Sequence, residues 1–159
     1  MGTRSLTKII STLGQAFSIH RECLYGDEET IITTMYRQMD GYPEGHGLML
    51  AEFLKPFTVV NGINLAETRK IANGLPCLAA QMYAYFKEGA GGIYCYHPEA
   101  TDCGEAYVYE IRLLHQTLES DVVGGEINLR CIDPYEEKEL FNGTPKEFIN
   151  QYDKSISNA

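Results

Sequence analysis

The sequence predicts an α+β fold in which about three helices pack against a mainly antiparallel sheet. Runs of β-branched and aromatic residues cluster towards both ends of the chain, at 6–38 and at 92–141. The clearest helical pattern lies between them at 76–88, and a strong helix start follows them at 144–147. Because strands and helices do not alternate strictly, the pattern argues against a doubly wound parallel sheet.

The first half of the chain predicts three strands and a helix. Residues 6–10 form a short β-type run, and residues 16–20 alternate apolar with polar side chains, as a hairpin arm does. Residues 29–38 are β-branched and aromatic and predict the third strand. The run 48–54 consists of good helix formers, so a helix is expected there, and Pro56 is expected to end it.

The second half of the chain predicts a short helix, two further helices and four strands. Residues 64–71 are expected to form the short helix, because Asn73-Gly74 is a good left-handed stop after it. Pro76 opens the helix at 76–88, whose apolar residues recur at helical spacing. The run 144–147 predicts the last helix, with Thr as N-cap, Pro at the first helical position and Glu three residues after the cap. Strands are expected at 92–96, 106–113, 126–132 and 138–141.

Length, charge and cysteine content limit the function classes. A chain of 159 residues with 44 % apolar content suits one domain spanning 1–159, and we expect disorder at 154–159. The formal charge of −9, from 22 acidic and 13 basic residues, argues against binding to a DNA or RNA backbone. The apolar runs fall far short of the roughly 20 residues that a membrane span needs. Five cysteines without a Cys-x-x-Cys pair, and no apolar N-terminal signal, predict reduced thiols in the cytoplasm.

Several blocks resemble a family of small bacterial and phage proteins. They are the opening residues 1–7, the run 36–38 followed by Asp-Gly-Tyr-Pro-Glu-Gly-His-Gly at 40–47, and the runs 77–81, 91–94 and 140–145. The resemblance spans most of the chain but brings no activity with it. It implies a phage or bacterial cytoplasmic setting, in which host interaction or anti-defence is the expected role.

The block at 40–47 predicts a strand-to-helix corner that binds a small anionic ligand such as a nucleotide. Its three glycines and proline can continue neither a strand nor a helix, and free amides at a helix start suit a phosphate or carboxylate. Arg37 is expected to supply a cation, with Arg4 as a second one if the N-terminal strand lies alongside. The expected ligand-binding residues are Arg4, Tyr36, Arg37, Tyr42, Gly45, His46 and Gly47, with the two tyrosines stacking on a base.

Two observations favour a purely structural turn at the same place. No Lys-Ser or Lys-Thr follows the glycines, as it does in a phosphate-binding loop, and Asp40 and Glu44 would repel an anion. A hydrolase is the alternative function: His46 would act as general base, oriented by Asp40 or Glu44. Cys77, at a helix start that lowers a thiol's pKa, would be the nucleophile, although most free cysteines are simply small buried residues.

Other clusters carry weaker hypotheses. Cys95 and His97, with Asp102 and Cys103 nearby, match no common zinc module, and we predict neither a metal nor a cofactor. Tyrosines at 94, 96, 107 and 109 predict either a surface patch or, as we favour, part of the core. The third candidate function is an acidic inhibitor that covers a basic surface of a host protein. An oligomer is compatible with the sequence.

Overall fold

The computed structural model describes residues 2–11, 29–60, 70–119 and 122–157. The strands are β1 (Ser5–Ser11), β2 (Thr30–Arg37), β3 (Thr58–Val60), β4 (Ile71–Asn73), β5 (Ile93–Tyr96), β6 (Tyr107–Glu119), β7 (Val122–Asp133) and β8 (Lys138–Gly143). A π-helical turn, Pro43–Gly47, leads directly into α1 (Leu48–Leu54), and the other helices are α2 (Gly74–Phe86), α3 (Pro145–Tyr152) and α4 (Lys154–Ser157). The hairpin arm predicted at 16–20 lies outside the described residues.

Six strands form one sheet in the order β5-β2-β1-β6-β7-β8. Every pairing in it is antiparallel except that of β1 with β6, which is parallel. Strands β3 and β4 form a separate two-stranded parallel pair. The predicted α+β fold with a mainly antiparallel sheet and helices packed against it is therefore confirmed.

The two faces of the sheet carry different side chains, because alternate residues of a strand point to opposite sides. On β1, Ile9 belongs to the main apolar core, together with residues of α1, α2 and α3 such as Leu50, Leu78 and Phe148. On the other face, Lys8 is almost wholly buried, and its ammonium group ties a connecting segment to the sheet. Its Nζ donates to Thr34 Oγ1 at 3.1 Å and to the carbonyl oxygens of Pro98 and Ala100 at 3.3 and 2.8 Å.

The structure differs from the sequence prediction at Ile71, at Asn73-Gly74 and at Lys154–Ser157. Within the predicted helix at 64–71, Ile71 is instead the first residue of β4, and residues 61–69 lie outside the described part. Asn73-Gly74 does not end a helix but begins α2, with Asn73 as its N-cap and Gly74 at φ 76°. The pairing of β3 with β4 extends the backbone there, which local helix propensity cannot anticipate. Where disorder is predicted, Lys154–Ser157 form a helical turn.

The predicted start of the last helix is confirmed in its atomic detail. The backbone N–H of Glu147 donates to Thr144 Oγ1 at 3.2 Å, and the N–H of Thr144 donates to Glu147 Oε1 at 3.0 Å. These two bonds form a capping box, which satisfies amides that the helix itself leaves without partners. The bond from the Thr144 N–H to the Glu147 carboxylate, with a further contribution from the Thr144 side chain, also holds the pKa of that carboxyl below its ordinary value, because it favours the charged form.

Candidate functional site

The backbone amides of residues 45–47 donate hydrogen bonds to carbonyls within the corner at 40–47. The N–H of Gly45 donates to the carbonyl of Tyr42 at 2.9 Å, the N–H of His46 to the carbonyl of Asp40 at 2.8 Å, and the N–H of Gly47 to the carbonyl of Tyr42 at 3.4 Å. Because the turn is π-helical, these N–H groups point back along the chain and donate to the carbonyls of residues that precede the turn. The free amides that were expected to cradle an anion are therefore already occupied.

The glycines of the corner serve close packing. A Cβ atom built at Gly47 would lie 2.7 Å from Cζ of Phe148, and one at Gly41 would lie 2.7 Å from Cβ of Ser5. The Tyr109 hydroxyl also donates to the Gly41 carbonyl at 2.7 Å. The corner is thus locked between β1, β6 and α3, which supports the reading as a structural turn.

His46 lies inside the protein, with 0 % of its surface exposed. Its ring packs edge-on against Phe86 and Tyr109, with centroids 5.1 and 5.5 Å away. Nδ1 lies 3.2 Å from Nη1 of Arg37, and Nε2 lies 3.0 Å from Oγ1 of Thr7. Because a guanidinium can only donate, Nδ1 must accept, so the proton is on Nε2 and is donated to Thr7.

Burial, together with a smaller contribution in the same direction from the nearby Arg37 charge, lowers the pKa of His46 to about 3. The imidazole is therefore neutral near pH 7 and does not titrate there, unlike the general base that the hydrolase alternative requires. Its one lone pair accepts from Arg37. A buried ring with both nitrogens engaged cannot take a proton from an outside substrate, so His46 is not a general base in this arrangement.

The other two candidate catalytic residues do not join His46. Asp40 is exposed at φ 59°, and it is its backbone carbonyl that binds the His46 amide. Cys77 lies in the first turn of α2, whereas Phe86, which touches His46, is the last residue of that helix. At 1.5 Å per residue, Cys77 is about 13 Å from Phe86 along the helix axis. Its Sγ lies 3.5 Å from Nε2 of Gln81.

The expected ligand-binding residues are split between the two faces of the sheet. Arg37 shares the helix-covered face with its register partner Ile93, a core residue. Tyr36 points the other way and stacks on Tyr96, with ring centroids 4.7 Å apart and planes at 9°. Arg4 lies against the loop at Gly104, where a Cβ atom would come 2.7 Å from Arg4 Nη1. Neither Arg4 nor Tyr36 can therefore bind one ligand together with Arg37.

The tyrosines predicted as one cluster are divided in the same way. Tyr107 and Tyr109 align with Ser5 and Thr7 on the helix-covered face, where Tyr109 is fully buried. Tyr94 and Tyr96 lie on the opposite face beside Tyr36. The core interpretation holds for Tyr109, and the four rings do not form a common patch. Tyr42, the remaining candidate, lies over Gly45 at the corner, with 38 % of its surface exposed.

Arg37 lines an open groove of about 520 Å³ where the end of β2 meets the end of α2. Nε donates to the Met39 carbonyl at 2.7 Å and Nη1 to His46, which orients the guanidinium group. Within the described part of the chain, no carboxylate lies within 4 Å of it. The groove is lined by Arg37, Gln38, Met39, Met49, Tyr85, Phe86, Glu88, Gly91, Gly92 and Ile93.

One wall of the groove is formed by Gly91 and Gly92, in the glycine-rich loop between α2 and β5, which was not among the predicted binding residues. Gly89, Gly91 and Gly92 have φ values of 68°, 80° and 75°, a left-handed conformation that glycine adopts without strain. The amides of residues 89–92 donate to no acceptor among the described residues. Arg37 pairs with Ile93 in the sheet, so this loop lies beside the guanidinium group.

Among the described residues, no three His, Cys, Asp or Glu side chains are grouped as metal ligands. His97, a candidate zinc ligand, instead accepts the Glu99 amide at its Nδ1. None of the described helices has both the length and the apolar character needed to cross a membrane. Comparisons with protein-family models, curated proteins and solved structures find no match to this chain.

Proposed function

We propose that this protein binds a small anionic ligand in the groove beside Arg37. From the sequence alone, such a ligand was expected at the 40–47 corner itself. The observation that carries the proposal is the half-buried guanidinium group of Arg37, which lines a groove of about 520 Å³ and has no carboxylate partner in the described residues. Partly burying a charged group without a charged partner costs hydration free energy, so such a group is a candidate for a ligand-binding site.

The surroundings of Arg37 support a preorganised binding group. His46 and the Met39 carbonyl each accept one N–H of the guanidinium, and the remaining donors are left for a ligand. Guanidinium groups bind carboxylates and phosphates through two parallel hydrogen bonds, and restricted contact with water strengthens such bonds. The corner then has an indirect role: it holds His46, and His46 positions Arg37.

A binding protein fits the geometry better than the hydrolase alternative. His46 is neutral and enclosed, Asp40 does not reach its ring, and Cys77 lies near the opposite end of α2. No nucleophile and base are brought within hydrogen-bond reach of each other around these three residues. We therefore expect the ligand to be released chemically unaltered.

Calorimetric titration of wild-type protein with inorganic phosphate, citrate and AMP tests the proposal. We expect at least one of these anions to bind, and Arg37→Gln to weaken that binding by roughly 10- to 100-fold, the value of a charged hydrogen-bonded pair. Arg37→Lys keeps the charge but cannot form two parallel hydrogen bonds. Its affinity for the anion should therefore lie between those of the wild type and Arg37→Gln.

Arg4→Gln is the matched control, because Arg4 is also half-buried but lies against Gly104 and does not line the groove. It should bind as tightly as the wild type. If none of the three anions binds, or if Arg37→Gln and Arg4→Gln bind them equally well, the proposal is wrong. Thermal unfolding of each variant confirms that the comparison is made between folded proteins.

The rim of the groove supports a protein partner as the second candidate function. Met39, Met49 and Tyr85 are exposed by 58 %, 40 % and 54 %, and methionine and tyrosine are enriched at protein interfaces. A partner that docked here would compete with the anion for the groove. A host-interaction or anti-defence role in a phage or bacterial cytoplasm stays a prediction of the sequence.

A further inference from the structure

We infer that the ligand is a nucleoside monophosphate, with its phosphate at Arg37 and its base on Tyr85. This inference rests on the proposed function, which requires only some anion at Arg37. It adds a second recognition element, a fixed aromatic surface in the same groove, and a limit on the ligand's charge. Three features of the groove carry the argument.

The first feature is the Tyr85 ring, which is both exposed and held in place. Its centroid lies 4.9 Å from that of Phe53, with planes at 39°, and 4.9 Å from that of Phe86, with planes at 84°. These contacts fix the ring from inside the protein, while 54 % of the residue stays exposed. An exposed ring of fixed orientation is suited to stack on a flat base, and the flexible thioethers of Met39 and Met49 can pack around it.

The second feature is the number of donors at the anion end. The guanidinium of Arg37 can bind two oxygens, and Gly91 and Gly92, which line the groove, have backbone amides that make no hydrogen bond to the described residues. A carboxylate has only two oxygens and is satisfied by the guanidinium alone. A terminal phosphate has three free oxygens, so it can use the guanidinium and loop amides together.

The third feature is the low net charge of the groove. Among its lining residues Arg37 is the one cation and Glu88 the one carboxylate, and the two form no ion pair. Lys87, which directly follows α2, does not line the groove: its ammonium group donates to the carbonyls of Gly91 and Ile93, at 3.0 and 2.7 Å, and lies 5.3 Å from the centroid of the Tyr94 ring. A site with one available cation and one carboxylate suits a single phosphate and disfavours the additional charge of a triphosphate. A groove of about 520 Å³ is within the size range of small-molecule sites.

Calorimetric titration with AMP, GMP, CMP and UMP, and with ribose 5-phosphate, inorganic phosphate and ATP, tests the inference. We expect at least one nucleoside monophosphate to bind roughly ten-fold or more tightly than ribose 5-phosphate, since a stacked base adds about that much affinity. ATP should bind more weakly than AMP. Tyr85→Leu should remove the preference for the nucleoside monophosphate over ribose 5-phosphate, and Tyr85→Phe, which keeps the ring, should retain it.

The outcomes separate this inference from the proposed function. If ribose 5-phosphate binds as tightly as every nucleoside monophosphate, or if Tyr85→Leu leaves the preference unchanged, the base is not recognised and the inference is overturned. Binding of citrate alone, lost in Arg37→Gln, would overturn the inference and leave the proposed function standing. Absence of any Arg37-dependent binding would overturn both. Tyr85 is half exposed, so Tyr85→Leu should fold and give a clear result.

Discussion

His46 illustrates how position decides the chemistry of a side chain. In the sequence it stands in a glycine-rich loop and resembles a catalytic histidine. In the folded protein it is enclosed by Thr7, Arg37, Phe86 and Tyr109, and burial is the larger reason for its low pKa. The cost of burying a charged ring beside a guanidinium keeps it neutral, and neutrality gives Arg37 an acceptor.

This histidine should make stability depend on pH in mildly acidic solution. Its pKa is about 3 when folded against 6.5 for the ordinary group, so the unfolded chain binds the proton first as pH falls. The contribution is fully present above pH 6.5 and is lost as pH falls towards 3. We expect the free energy of unfolding to drop by about 2 kcal/mol between pH 7 and pH 5 from this group alone.

Urea unfolding at several pH values measures this effect. His46→Gln should remove about 2 kcal/mol of the decrease between pH 7 and pH 5, whatever it does to the stability at pH 7. His97→Gln, a replacement at the surface, serves as the control for changing the number of histidines. An unchanged pH dependence in His46→Gln would show that His46 is not the buried neutral group described above.

At the level of elements, the corner at 40–47 joins β2 to α1 and fits against α3. The contact of Gly47 with Phe148 sets this fit, because no side-chain atom can be accommodated between them. The fully buried Phe148 is in turn packed against Phe141 and Tyr152, with centroids 4.9 and 4.5 Å away. The ring therefore has little room to move aside, and the glycine is required by packing rather than by a left-handed backbone.

Gly47→Ala should lower the free energy of unfolding by about 1–3 kcal/mol, as overpacking of a core does. Phe148→Leu should be destabilising for the opposite reason, because it removes buried volume. In the double variant the smaller Leu makes room for the added methyl group, so its loss should be smaller than the sum of the two single losses. Denaturant unfolding of the four proteins gives the comparison, and strict additivity would contradict the proposed contact.

At the level of the whole molecule, the face of the sheet away from the helices is held by a network of charges. Glu110 Oε1 accepts from Arg112 Nη1 at 2.8 Å and from Arg130 Nη1 at 3.0 Å, which links β6 to β7. Arg112 reaches Glu29 at 2.8 Å, and Arg130 lies 3.6 Å from Glu139 on β8. The network crosses three neighbouring strands on the side of the sheet away from the described helices.

Glu110→Gln should lower the free energy of unfolding by about 1–2 kcal/mol, because it leaves two half-buried guanidinium groups without their shared carboxylate. The loss should shrink as sodium chloride is added, since salt screens the charges that remain. Glu139→Gln is the matched control: its carboxylate is more exposed and more distant, so about 0.5 kcal/mol or less is expected. Equal losses for the two variants would argue against a network centred on Glu110.

The fold could largely be predicted from local patterns in the sequence. The alternation in 126–132 and the Thr144–Glu147 capping box depend on neighbours a few residues apart, and the structure contains both a strand and a helix start there. Ile71 shows the limit of such patterns: its extended conformation comes from the pairing of β4 with β3, a contact between distant residues.

The residues proposed to bind the ligand depended on more than local pattern. Arg37 was singled out in the sequence as a cation near the corner, and it contacts His46 there, while strand alternation alone could have separated it from Tyr36. Two facts needed the tertiary structure. The amides at 45–47 are consumed by a turn that returns to Asp40 and Tyr42, and the pairing of Arg37 with Ile93 brings the loop 89–92 beside the guanidinium group.

The sequence by itself thus determined most of the strands and helices, because capping, alternation and glycine placement act over a few residues. Only the tertiary structure decided which polar groups are already satisfied and which remain available to a ligand. That distinction depends on contacts between residues far apart in the chain, such as Thr7 with His46 and Arg37 with Ile93. A binding site consists of the groups that folding leaves unsatisfied, so it becomes visible only when the other partners have been placed.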